Sequence, residues 1–101
     1  MEIKGYLIRD VFQAKPGKAR ELVEIFKSIR GYLEEDGFTN LRIMTDYTGT
    51  YWTVVLQSEV KSIPEFDLHS RNFTSRLEVA ELMKGYMDLV QGGHREMFKI
   101  H

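Results

Sequence analysis

The stretch Tyr51-Trp52-Thr53-Val54-Val55-Leu56-Gln57-Ser58-Glu59 constrains this chain more than any other. It reads as a strand with apolar residues on both faces. Trp52, Val54 and Leu56 share one face; Tyr51, Thr53, Val55 and Gln57 share the other. A strand with one solvated face alternates apolar with polar residues. Here both sides ask for cover. Helices can supply one of them, but a chain of 101 residues has little left for the second. A second copy of the chain is the economical answer, so a homodimer through the sheet face is expected.

Composition narrows the classes. At 43% hydrophobic and 29% charged, the chain suits one soluble domain, residues 1–101, rather than a disordered segment. A net charge of −1 gives no field that would recruit nucleic acid or an anionic membrane. The absence of cysteine excludes disulfides, thiolate catalysis and cysteine-based zinc sites. The N-terminus has no signal-peptide architecture, and no apolar run is long enough to span a bilayer, so the cytoplasm is the default expectation.

From Ile3 to Gln13 the pattern is again a strand. Tyr6, Ile8, Asp10 and Phe12 fall on one face, Leu7, Arg9, Val11 and Gln13 on the other. Lys15-Pro16-Gly17 breaks it, and a helix follows from Lys18 to about Glu35. Its stripe is Ala19, Leu22, Val23, Phe26, Ile29, Arg30 and Leu33, apolar but for Arg30. Glu34-Glu35-Asp36 reads as a solvated acidic turn, and Gly37 as the helix stop. A second strand, Phe38 to Asp46, turns tightly through Tyr47-Thr48-Gly49-Thr50 into the organising strand, which ends at Val60.

Ser62-Ile63-Pro64-Glu65 is a capping-box start for a short helix to about Ser70. Ser75-Arg76-Leu77-Glu78 repeats the signal and predicts a longer helix with the stripe Val79, Leu82, Met83, Tyr86, Met87 and Val90. Gly92-Gly93 would end it, and His94 to Ile100 would form the last strand. The order β-α-β-β-α-β predicts an α+β, ferredoxin-like fold: a four-stranded antiparallel sheet with both long helices on one face. Which strand face meets the helices stays open, because a one-residue shift exchanges the two sets.

These residues together resemble the dimeric α/β-barrel superfamily, in its NIPSNAP-like and antibiotic-biosynthesis-monooxygenase-like branches. The junction Phe12-Gln13-Ala14-Lys15-Pro16-Gly17-Lys18 carries the resemblance, with Tyr51 to Val55, the helix start at Ser62 to Phe66, and Gly93-His94-Arg95-Glu96-Met97. The resemblance covers nearly the whole chain and implies a ligand pocket between sheet and helices. It carries over no catalytic residue. The haem-degrading branch is marked by an Asn on the first strand, where this chain has Arg9 and Asp10, so no cofactor is expected. Such folds host many chemistries, and function must be argued from the site.

Within that frame, the best chemical cluster is His69, Arg71 and Asn72, read on a short helix and the irregular stretch after it: a general base with two groups to orient an oxyanion. The same residues equally read as an exposed polar segment. Arg9 could anchor an anionic substrate or pair with Glu96 or Asp46. Trp52, Tyr86 and Met83 could line an apolar pocket, or simply fill a core. His94 stands where a partner chain could meet it. The three histidines are not spaced as metal ligands, so no metal site is expected. Two readings remain: a dimer that binds a small apolar or aromatic molecule, and a cofactor-independent monooxygenase, cyclase or isomerase with His69 as base.

Overall fold

The structure, a computed structural model, describes residues 4–101, so Ile3 of the expected first strand lies outside the described residues. Along the described chain run β1 (Tyr6–Ala14), α1 (Ala19–Glu35), β2 (Thr39–Thr45), β3 (Thr53–Val60), α2 (Ile63–Thr74), α3 (Leu77–Leu82), a 3-10 turn (Tyr86–Leu89) and β4 (Val90–Lys99). The strands form an antiparallel sheet in the order β2-β3-β1-β4. This is the α+β, ferredoxin-like arrangement expected from the sequence. The Cα envelope measures 46 × 34 × 18 Å, thin in one direction because only one face of the sheet carries helices.

Helix α1 obeys its pattern. Leu22, Phe26, Ile29 and Leu33 are buried, spaced so that each turn places one side chain on the sheet. They meet Ile8 and Ala14 of β1, Leu41 of β2, and Val54 and Val60 of β3. The charged member of the stripe, Arg30, has a partner: its guanidinium donates to the Leu41 carbonyl at 3.0 Å. Gly37, at φ +110°, then closes the helix. The Phe38 amide donates back to the Leu33 carbonyl and that of Gly37 to Glu34, both at 3.1 Å, which satisfies carbonyls the helix end leaves free.

The register settles which face is which. Tyr6, Ile8, Asp10 and Phe12 of β1 point to the helices, as do Val54, Leu56, Ser58 and Val60 of β3. Arg9, Val11, Gln13, Thr53 and Val55 face the other way.

Four expectations change. Tyr51 and Trp52 do not belong to β3. They end a loop longer than the tight turn predicted, in which Trp52 has a left-handed φ of +62° and Asp46 Oδ1 accepts from the Thr53 amide at 3.0 Å. Trp52 therefore does not share a sheet face with Val54 and Leu56. Second, α2 is the longer helix of the second crossover. Ser62 caps it, accepting from the Glu65 amide at 3.2 Å, but it runs on to Thr74, so His69, Arg71 and Asn72 are all helical. Third, the helix predicted from Ser75 is short. Arg76, not Ser75, is its N-cap, while the Ser75 hydroxyl donates to the Asn72 carbonyl of α2 at 2.9 Å. Gly85, at φ +86°, stops any continuation, and β4 starts at Val90, with Gly92 and Gly93 inside it. Fourth, the acidic turn is not simply solvated. Asp36 is only 7% exposed and takes two hydrogen bonds from Arg76, at 2.8 and 2.9 Å.

Candidate functional site

The second crossover covers the sheet loosely, and a cavity of 310 Å³ remains beneath it. Helix α1 supplies Phe26, Ile29 and Leu33; the sheet supplies Ile8, Phe12 and Leu56; α2 supplies Phe66 and Phe73. The phenylalanines pack in contact. Phe12 and Phe26 are 4.9 Å apart between ring centroids, and Phe38 meets Phe66 edge-on at 6.3 Å. Tilted and edge-on geometries of this kind are the ones aromatic rings prefer.

Polar groups interrupt this lining along one line of the sheet. Asp10 on β1 lies opposite Arg95 on β4, and the Arg95 Nε donates to Asp10 Oδ1 at 2.5 Å while Nη2 reaches Oδ2 at 3.4 Å. Asp10 is 19% exposed and Arg95 52%, so the pair runs from the cavity wall to its mouth. The Arg95 guanidinium lies 5.1 Å from the Phe66 ring centre, within cation–π range. One strand further in, Ser58 is buried on the cavity wall, opposite Ile8 and so diagonal to Asp10. Ser70 and Thr74 on α2 and Tyr86 in the 3-10 turn complete the polar lining.

The residues singled out in the sequence are dispersed. Met83 and Tyr86 do line the cavity together. Trp52 lies instead in a surface groove beside α1, with Val23 and Lys27. Arg9 is on the bare face of the sheet, 3.8 Å from Glu96, one of the two partners anticipated for it. His69 is half-buried. Its ring meets Phe38 edge-on at 5.7 Å and lies against Gly37, lining a separate groove of 390 Å³ with Lys61 and Glu65. Arg71 and Asn72 are exposed on α2, outside that groove's lining and outside the cavity's.

Asp10, Arg95 and Ser58 are the residues that sequence reasoning passed over. A signal existed. Asp10 shares its face with Tyr6, Ile8 and Phe12, whereas Arg9 shares its face with Leu7, Val11 and the polar Gln13. Of two adjacent mid-strand charges, the one on the face that meets the helices has the greater need of a close partner.

The bare face has its own pattern. Val11 lies between Val55 and His94, Met44 lies beside Val55, and Leu7 lies between Glu59 and Phe98. Phe98 is 50% exposed and Met44 37%. Among the described residues, no group of three or more His, Asp or Glu side chains could hold a metal ion, and no helix is long and apolar enough to cross a membrane.

No family model matches the sequence, and no curated protein matches it. Solved structures do. An uncharacterised NIPSNAP domain protein from Burkholderia xenovorans superposes with a TM-score of 0.84 at 12% identity, over 95% of this chain and 94% of the other. A NIPSNAP family protein of unknown function from Agrobacterium tumefaciens gives 0.84 at 9% identity, over 99% and 91%. A putative antibiotic biosynthesis monooxygenase from Chloroflexus aurantiacus gives 0.75 at 12%, over 95% and 92%. The chain shares their fold. The match spans nearly the whole of each partner, so the resemblance read from the sequence holds for architecture; at these identities it says nothing of chemistry.

Proposed function

We propose that this chain forms a homodimer through the bare face of its sheet and binds a small apolar or aromatic molecule in the helix–sheet cavity. The cavity carries the reading: 310 Å³ lined by phenylalanines, with a few polar groups on one side, has the character of a ligand site rather than of a packing fault. The dimer is supported by the exposed apolar residues Phe98 and Met44 on a face that also carries opposite charges at Arg9 and Glu96. Burial of that face stabilises a pair by roughly 25 cal/mol per Å² of apolar surface. Light scattering at micromolar concentration should return twice the chain mass, and a monomeric mass would remove the dimer. Ser70→Phe, which projects a ring from α2 into the cavity, should abolish the thermal shift caused by planar aromatic compounds. An undiminished shift would place binding elsewhere.

A second reading makes the protein a cofactor-independent enzyme with His69 as general base. What favours it is that His69 lines a groove of its own with Lys61 and Glu65. The substrate would then bind outside the apolar cavity, with Arg71 and Asn72 brought in only by movement of their side chains. His69→Ala would abolish turnover without unfolding the chain, and retained turnover would end this reading.

A further inference from the structure

We infer that the cavity selects carboxylates: its ligand is a small apolar or aromatic acid whose carboxylate is held by Arg95 at the mouth while its body lies among the phenylalanines. The inference rests on the proposed binding role of the cavity and adds what the site reads.

Arginine presents five N–H donors in a rigid plane. Asp10 takes the side formed by Nε and Nη2. The end formed by Nη1 and the second Nη2 proton is left over, and Arg95 is half exposed where the cavity opens. A carboxylate matches that end with two parallel hydrogen bonds. Asp10 acts as a positioning residue. By holding one side of the fork, it fixes the plane and reduces the side-chain freedom lost on binding. The Phe66 ring, 5.1 Å from the guanidinium carbon, holds it from another side.

Orientation follows from solvation. A carboxylate taken into the apolar interior would lose its water without adequate repayment. At Arg95 it keeps solvent and gains a charge-assisted pair. Away from Arg95 the cavity, walled by Phe26, Phe38 and Leu56 with only neutral hydroxyls such as that of Ser58, offers no counter-charge to an anion and much apolar surface to a ring. A ligand cation is disfavoured, since it would have to evict Arg95 from Asp10. Arg9 does not compete for this role: it lies on the opposite face of the sheet and is paired with Glu96.

The test compares 2-naphthoate with 2-naphthamide, nearly the same shape without the charge, by calorimetry on the full chain. The wild type should bind the acid at least about tenfold more tightly than the amide, the range of a charge-assisted hydrogen-bonded pair. That ratio should fall to about one in Arg95→Gln. It should also do so in the double variant Asp10→Asn, Arg95→Gln, which leaves no unpaired charge in the wall if the single variant folds poorly. Arg9→Gln should leave it unchanged. Equal binding of acid and amide by the wild type overturns the inference and leaves the cavity as a general apolar site. A preference that survives the loss of Arg95 overturns it as well. If neither compound binds, the binding role of the cavity fails and the inference with it.

Discussion

The two crossovers of this fold do the same topological job with different means. The first is a single helix, α1, of 17 residues, and its Leu22, Phe26, Ile29 and Leu33 are all buried. The second is broken into α2, α3 and a 3-10 turn, and among its described residues only Val79 is buried. One helix buries a continuous stripe on the sheet; three shorter pieces cover the rest loosely and leave a cavity between themselves, that helix and the sheet. The difference separates dense packing from open space. A continuous amphipathic stripe gives dense packing against the strands beneath it. A segmented crossover gives weaker cover, local mobility and a space with walls.

The sharpest way to break this comparison is to remove one phenylalanine from each side. Phe26 is 1% exposed and central to the core, so Phe26→Ala should cost about 3–5 kcal/mol in urea unfolding. Both rings border the cavity, but Phe73 is only partly buried, so Phe73→Ala should cost less, about 1–2 kcal/mol. Equal losses would mean that the second crossover is as integral to the core as the first.

Two glycines end helical segments on the two sides, and they should respond differently. Gly37 closes α1 at φ +110°, and a Cβ placed there would fall 2.5–2.9 Å from atoms of the His69 ring. Gly37→Ala should therefore cost about 2–3 kcal/mol, combining left-handed strain with a clash. In the background of His69→Ala the same change should cost less, because only the strain remains; an unchanged cost would show that the ring moves away freely. Gly85, at φ +86°, has open space where its Cβ would go, so Gly85→Ala should cost only about 1 kcal/mol.

The same contrast explains what was legible in the sequence. Period-two and helical spacing are direct readouts of burial, and β1, β3 and α1 follow them because each is packed along its whole length. The second crossover misleads for the converse reason. Val79, Met83, Tyr86 and Val90 keep helical spacing, yet Gly85 takes a left-handed turn, and Val90 is claimed by β4 while the Lys15 amide donates to the Leu89 carbonyl at 2.8 Å. Ser75 belongs to an S-x-x-E pattern, but its hydroxyl serves the end of α2 instead. Sequence spacing cannot choose between two backbone partners that are equally near along the chain. The site was half legible: Met83 and Tyr86 lie on its wall, whereas Asp10 and Arg95 meet only because the sheet register aligns them from opposite ends of the chain.

Besides apolar packing, Arg76 ties the loose half to the firm one. From the N-cap of α3, Arg76 donates to both oxygens of Asp36, approaches Glu35 at 3.5 Å, and places its guanidinium 5.3 Å from the Tyr32 ring centre. All three residues belong to the end of α1 or its C-cap. The hydrogen bonds to Asp36 raise the Arg76 pKa above its ordinary value, the charges of Asp36, Glu35 and Glu78 add to this, and desolvation opposes it. The folded-state pKa is raised, so this contribution is complete below the unfolded-state value and is lost only as pH climbs through the raised one. The guanidinium therefore stays charged across the neutral range, and its contribution does not vary there. Arg76→Gln should therefore act locally. Amides of α2 and α3 should exchange with solvent faster while those of α1 and the central strands keep their protection, and the global unfolding midpoint should shift little. If exchange rises equally in both halves, the two crossovers open as one cooperative unit and the contrast between them is only one of packing.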